Sequence, residues 1–144
     1  MFKRIVWATD GSAGADCALE LAKSLASQDG ASLVAVHGIE FVAGKGGALP
    51  QSADEDERQA KVAAQVAELE QQGLTVSSKL LHGGVHGPAH VIAEVAAEEG
   101  ADLIVCGTRG HTAIAGLLLG SVTQRLLHIA PCPVLVVPHP SDNG

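Results

Sequence analysis

Short apolar runs of strand length alternate along this chain with stretches of helical periodicity, and this alternation constrains the fold more than any other feature. The five runs are Ile5–Ala8, Ser32–His37, Thr75–Leu81, Asp102–Cys106 and Pro133–Val137. Strands that alternate with helices are typical of an α/β domain with a parallel sheet. The sequence therefore predicts one domain over residues 1–144, an open five-stranded parallel sheet with helices on both faces.

Four helices are predicted between these strands. The first carries Ala18, Leu21, Ala22 and Leu25 at steps of three and four residues and stops near Gly30. The others are predicted from about Asp54 to Gln72, from Pro88 to Glu99 and from Ser121 to Ala130. Glu57 and Lys61 are spaced to pair along the second helix, and the glycine-rich segment before that helix is predicted to be a long loop.

Composition excludes several classes of protein. The formal charge is −7 and only three of the 144 residues are aromatic, which argues against a nucleic-acid partner. No apolar run approaches the roughly 18 residues that a membrane span needs. The three cysteines form no CxxC pair, so we expect buried free thiols in a reducing compartment. These features predict a soluble cytoplasmic protein with no membrane partner.

Turn residues follow the predicted strands at one edge of the sheet. Asp10, Gly38, Gly83 and Gly107 each come just after an apolar run. Because right-handed crossovers bring the carboxyl ends of parallel strands to the same edge, these residues are expected to lie together. Open sheets of this type bind ligands at that edge, where the strand order reverses.

The stretch from residue 107 to 121 has the pattern G-x2-G-x9-G-S. We expect Gly107 to turn the chain sharply after its strand, Gly110 to let backbone approach a ligand, and Ser121 to cap the next helix. A helix N-terminus with free N–H groups favours an anion such as phosphate. The stretch lacks a P-loop lysine. The residues alone leave open that the glycines only form turns and that Ser121 only caps its helix.

Together with Asp10-Gly11-Ser12 and the closing PCPVLVVP, this pattern resembles the universal stress protein family over essentially the whole chain. The resemblance implies strand order 3-2-1-4-5 and ATP, with Mg²⁺, held between the ends of the first and fourth strands. It also implies a homodimer through the last strand, Pro133–Val137. The site residues that it implies are Thr9 and Asp10 at the adenosine, the backbone of Gly38 at adenine, and Gly107, Gly110, Gly120, Ser121, Val122 and Thr123 at ribose and phosphates.

Two positions depart from the family pattern. Trp7 stands where an aliphatic residue is usual, which concerns packing more than binding. Gly38 stands where a β-branched residue is usual, and its missing side chain is expected to loosen the adenine slot. Neither departure removes a residue of the glycine motif.

Other polar residues have more than one interpretation. Arg109 either offsets phosphate charge or is a solvated loop residue, and the same two interpretations apply to His111. His82, His86 and His90 recur at steps of four, but glycines and Pro88 interrupt any helix across them, so no metal site is predicted. Ser12 is expected to begin or cap the first helix. No catalytic constellation surrounds Asp10, and no catalytic residue is assigned.

Three functions are compatible with this pattern. The first is an ATP-binding stress sensor or regulator with at most slow hydrolysis, since no P-loop lysine or water-activating residue is evident. The alternative is an interaction module whose pocket is empty or binds AMP or cyclic AMP. The third is a true enzyme of the wider adenine-nucleotide hydrolase-like fold group.

Overall fold

The computed structural model describes residues 1–39, 43–44, 47–48, 53–82, 86–108 and 119–140. Five parallel strands form one sheet in the order β3-β2-β1-β4-β5, which confirms the predicted 3-2-1-4-5 order. Their bounds are Arg4–Thr9 for β1, Ser32–Ile39 for β2, Val76–His82 for β3, Leu103–Gly107 for β4 and Val134–Val137 for β5. A separate two-stranded antiparallel ladder pairs Ala43–Gly44 with Gly47–Ala48.

Four helices cover the two faces of the sheet. They are Ala13–Asp29 (α1), Ala53–Gln71 (α2), Pro88–Glu99 (α3) and Ser121–Ile129 (α4). Helices α1 and α2 pack with the side chains of Ile5, Trp7 and Leu33 on one face. Helices α3 and α4 pack with Val6, Val34 and others on the opposite face. The predicted fold class, an α/β sheet with helices on both faces, is confirmed.

The predicted apolar face of α1 is wrong in part. Ala18 and Ala22 are buried as expected, but Leu21 is 37% exposed and Leu19 is buried instead. The buried stripe consists mostly of alanines, whose small side chains let α1 lie close to the sheet. The stop at Gly30 is confirmed, since this residue caps α1 with φ 67°, a left-handed conformation that glycine adopts readily.

The expected pairing of Glu57 with Lys61 along α2 is also wrong. The Lys61 ammonium instead crosses to α1, where its Nζ lies 2.7 Å from Oδ2 of Asp16. Gln65, one turn further along α2, donates to the other oxygen of the same carboxylate at 2.8 Å. These contacts join α2 to α1, whereas a pair of Glu57 and Lys61 would lie within α2 alone.

An ion-pair network joins the start of β1, β3 and the end of α3. The carboxylate of Glu99 accepts from Lys79 Nζ at 2.9 Å and also pairs with the guanidinium of Arg4. The hydrogen bond from Lys79, followed by that from Arg4, holds the pKa of Glu99 below its ordinary value of 4.5. Folding therefore favours the ionised carboxylate at this position.

We expect Glu99→Gln to lower the free energy of unfolding at neutral pH. We also expect this free energy to fall less steeply as the pH is lowered. A carboxylate whose pKa is lowered by folding stabilises the fold above its unfolded pKa, and this contribution is lost as the pH falls through the folded pKa. Urea unfolding of both proteins between pH 7 and pH 3 measures the effect, with Glu98→Gln on the exposed face of α3 as the control. Equal acid dependence in wild type and Glu99→Gln would contradict this account.

Candidate functional site

The turn between β1 and α1 is closed by its own side chains. The backbone N–H of Gly11 donates to Thr9 Oγ1 at 3.0 Å, and the N–H of Ser12 donates to Asp10 Oδ1 at 3.0 Å. The Ser12 hydroxyl accepts from the N–H of Ala15 at 3.3 Å, which confirms Ser12 as the cap of α1. Thr9 is buried, whereas Asp10 is half-buried at the carboxyl edge of the sheet. The Asp10 carboxylate is thus held by the turn at the place where a ligand of this fold binds.

Gly107 lies at the end of β4 directly against the first turn of α1. A Cβ at this position would be 2.9 Å from the carbonyl oxygen of Gly14 and 3.0 Å from its carbonyl carbon. The φ angle of Gly107 lies outside the left-handed region, so a positive φ is not what requires a glycine at the end of this strand. The glycine is required here because backbone approaches backbone. It brings α1, and with it the Asp10 turn, close to the end of β4.

Three hydrogen bonds fasten the start of α4 to the ends of β4 and β5. The N–H of Gly120 donates to the carbonyl of Thr108 at 2.7 Å, and the N–H of Thr108 donates to the carbonyl of Val137 at 3.2 Å. The buried hydroxyl of Thr123 donates to the carbonyl of Gly107 at 2.8 Å. The N-terminus of α4 is therefore held at the same edge as Asp10 by the strands themselves.

The cap of α4 is Gly120 rather than Ser121, which corrects the sequence-based expectation. Gly120 has extended dihedral angles, φ −69° and ψ 160°, and Ser121 is the first helical residue. The first backbone bond of the helix runs from Gln124 N–H to the carbonyl of Gly120. The N–H groups of Ser121, Val122 and Thr123 consequently have no acceptor within the helix, and a glycine cap brings no side-chain acceptor to them. This arrangement suits an anion.

Not every predicted residue falls within the described chain. Arg109, Gly110 and His111 lie outside it, so their expected roles stay predictions. Gly38 follows His37, which is the β-sheet partner of Thr9, and so lies at the same edge on the neighbouring strand. A Cβ on Gly38 would be 3.0 Å from Cβ of Pro88, so α3 closes this side of the edge. The described part of the chain thus places Thr9, Asp10, Gly38, Gly107 and Gly120–Thr123 at the carboxyl ends of adjacent strands.

Sequence reasoning missed a polar cluster on the α1 and α2 face of this edge. His37 is buried, and its Nε2 lies 3.1 Å from Glu55 Oε1. The other oxygen of Glu55 lies 3.3 Å from a guanidinium nitrogen of Arg58. Arg58 also packs on Gly11, where a Cβ would come within 2.8 Å of its side chain and where φ is 79°. The signal available was a histidine at the end of an otherwise apolar strand. Its partners follow a long intervening segment, so their position could not be deduced.

Lys61 adds a cation to the same face of the turn. Its Nζ donates to the carbonyl of Gly11 at 3.0 Å as well as binding Asp16. The glycine-rich stretch from residue 107 to 121 contains no lysine, and nothing in the sequence pattern places Lys61 beside this turn. In the structure this lysine supports the β1–α1 turn, and its charge is balanced by the Asp16 carboxylate.

The cysteines are free but not all buried, which corrects part of the expectation. Cys106 is buried, whereas Cys17 and Cys132 are half-buried. Burial raises the pKa of the Cys106 thiol to about 11, against a smaller lowering by the hydroxyl of Thr123. Since the thiolate is the reactive form, Cys106 behind the site is a packing residue and not a nucleophile.

Two further features help to delimit the site. Among the described residues, no group of three or more His, Cys, Asp or Glu side chains is arranged to hold a metal ion. A groove of about 280 Å³ lies between the C-terminal ends of α1 and α2, lined by Gly30, Gln72 and Thr75 among others. Helix C-termini carry partial negative charge and disfavour anions. Of these two places, the N-terminus of α4 is therefore the one whose electrostatics suit an anion.

Comparison with known proteins agrees with this architecture. The model of the universal stress protein family matches residues 1–138. This chain belongs to that family. A universal stress protein of Thermus aquaticus is 42% identical over 143 residues, which cover 95% of this chain and 99% of the relative. The family resemblance drawn from the sequence is thereby confirmed.

Solved structures of universal stress proteins share the fold. That of MJ0577, a universal stress protein from Methanocaldococcus jannaschii, superposes with a TM-score of 0.72 at 27% identity and covers 96% of this chain and 97% of its own. A universal stress protein in complex with cAMP has a TM-score of 0.66 at 27% identity, covering 94% and 97%. Within the described residues of the present chain, no helix has the combined length and apolarity that crossing a bilayer requires.

Proposed function

We propose that this universal stress protein binds ATP, with Mg²⁺, at the carboxyl edge of its sheet and acts as a nucleotide-dependent stress sensor or regulator. The observation that carries the proposal is the N-terminus of α4. It is tied to Thr108 and Gly107, capped by a glycine, and presents N–H groups without acceptors in the helix. Phosphate oxygens are suitable acceptors for such groups.

The adenosine is proposed to lie toward the ends of β1 and β2. Thr9 and Asp10 stand at the first of these ends and Gly38 at the second, on strands that pair directly. A carboxylate near phosphates would repel them, so Asp10 suits the ribose and base. Gly107 and the glycine-rich stretch with Arg109 and Gly110 are proposed to line the ribose and phosphates. Mg²⁺ would be held chiefly by phosphate oxygens and water, as this ion prefers.

Two observations favour a second candidate, an interaction module with an empty pocket or one that binds AMP or cyclic AMP. Lys61 and Arg58, the cations nearest the β1–α1 turn in the described chain, are both paired with carboxylates. In addition, a related structure is a complex with cAMP. A site with little free positive charge has less to gain from a triphosphate than from a single phosphate. The same scarcity of charge supports slow hydrolysis at most.

Mass spectrometry of the ligand released from natively purified protein distinguishes the two candidates. We expect ATP or its hydrolysis product ADP to be retained, because the α4 N-terminus provides several phosphate-binding N–H groups. Retention of AMP or cyclic AMP would instead favour the second candidate, the interaction module. Copurification of a ligand without an adenine ring would contradict both.

We further propose a cytoplasmic homodimer formed through β5, as a single domain over residues 1–144. Strand β5 lies at one edge of the sheet, and its four residues are half-buried in the single chain. An edge strand has unpaired backbone groups on its outer side, which a second copy can pair. Pro133 and Pro138 limit the length of that pairing to the strand between them. Neither nucleic acid nor membrane is a proposed partner.

A further inference from the structure

Two histidine rings meet at the N-terminus of α3. His86 precedes the helix cap Gly87, and His90 lies in the first turn of the helix. Their ring centroids are 4.9 Å apart and their planes are tilted by 36°. The glycines do interrupt the helix, but the turn at Gly87, with φ 88°, brings His86 back beside His90. The predicted interruption of the helix is present, since α3 begins only at Pro88, but it does not keep the rings of His86 and His90 apart.

The separation of the rings suits a shared metal ion. Imidazole nitrogens bind Zn²⁺ at about 2.0–2.1 Å, and two imidazoles on one tetrahedral ion have ring centroids about 5 Å apart. Side chains from a turn and the adjoining helix can supply two such ligands without a continuous helix across them. The observed centroid separation of 4.9 Å is close to this value.

His90 also has an unused coordinating atom. The residue is half-buried, and its Nδ1 is buried without a hydrogen-bond partner in the described part of the chain. Buried polar atoms usually have a partner, so a nitrogen that lacks one is open to a ligand. A neutral imidazole nitrogen is a good ligand for divalent transition metals and a poor one for Mg²⁺ or Ca²⁺. The chemistry therefore selects a transition-metal ion.

We propose that His86 and His90 form a two-ligand site for a divalent transition-metal ion such as Zn²⁺, whose remaining positions are filled by water. The positive end of α3 opposes a cation, whereas the exposed carboxylate of Glu94, one turn beyond His90, favours it. Pro88, between the two histidines, packs on Gly38 at the end of β2. The metal site would thus adjoin the base end of the proposed nucleotide site without sharing its residues.

Calorimetric titration of Zn²⁺ into untagged full-length protein, without nucleotide, tests the proposal. We expect His86→Ala to weaken binding of the ion by on the order of tenfold or more, since one of two protein ligands is lost. His86 is exposed and precedes the helix, so its replacement leaves the fold intact, which circular dichroism verifies. His128→Ala, at an exposed position of α4, is the matched control and is expected to bind Zn²⁺ as wild type does.

Electron paramagnetic resonance with Cu²⁺ supplies a readout that counts ligands. Wild type and His128→Ala are expected to show coupling to two imidazole nitrogens, and His86→Ala to one. Equal Zn²⁺ affinity in wild type and His86→Ala, or an unchanged nitrogen coupling, would overturn the proposal. Because no nucleotide is present, failure here is distinct from failure of the proposed ATP site.

Discussion

Trp7→Ala is expected to lower the free energy of unfolding by about 3–5 kcal/mol, the usual cost of removing a large buried aromatic side chain. Trp7 is fully buried in the face covered by α1 and α2. Its indole Nε1 donates to the carbonyl of Ala15 at 2.9 Å. The substitution therefore leaves a cavity and removes a bond that holds the first turn of α1, the turn that packs on Gly107 and follows Asp10.

Trp7→Phe is the matched control because it retains an aromatic ring but lacks the N–H donor. We expect a smaller loss of about 1–3 kcal/mol, from the missing hydrogen bond and a smaller cavity. Urea unfolding followed by circular dichroism at neutral pH measures both variants. A loss under 1 kcal/mol for Trp7→Ala would show that α1 is held mainly by other contacts. Trp7 is thus a packing residue, as its departure from the family pattern suggested.

The strands of the sheet, the helix ends and the residues that follow each strand could be predicted because they depend on local patterns. Apolar runs mark buried parallel strands, and Gly30 marks a helix end, wherever the chain folds in this way. Family resemblance then added the strand order, which local pattern alone does not determine. The edge positions of Thr9, Asp10 and Gly107 follow directly from those two inferences.

Contacts between distant segments could not be predicted. The link between His37 and Glu55, and that between Asp16 and Lys61, depend on how α2 lies over the β1–α1 turn. The identity of the α4 cap depends on the bond from Gly120 N–H to the Thr108 carbonyl, a tertiary contact that propensity at Ser121 does not reveal. The buried stripe of α1 was misplaced because alanine carries a weak hydrophobic signal.

Gly120→Val is expected to weaken adenine-nucleotide binding by on the order of 100-fold or more while the sheet remains folded. Valine readily adopts φ −69° and ψ 160°, so the substitution causes no backbone strain. Its branched side chain would stand beside the N–H groups at the start of α4 and block close approach of a phosphate. Loss of the favoured glycine cap is expected to cost the fold only about 1 kcal/mol.

Gln124→Val is the matched control, because it introduces the same side chain at an exposed position of the same helix, one turn further on. We expect it to bind nucleotide as wild type does. Fluorescence titration with a labelled ATP analogue compares the two variants, and circular dichroism verifies their fold. An unchanged affinity of Gly120→Val for the nucleotide would show that the N-terminus of α4 is not part of the site. The proposed function would then lose its main support.

Calorimetric titration of the wild-type protein, after removal of any copurified ligand, shows whether the carboxyl edge of this sheet is an adenine-nucleotide site. ATP with Mg²⁺, AMP and cyclic AMP are titrated separately. If the edge is such a site, we expect saturable binding at one site per chain, with ATP bound most tightly. Absence of binding for all three nucleotides would contradict it.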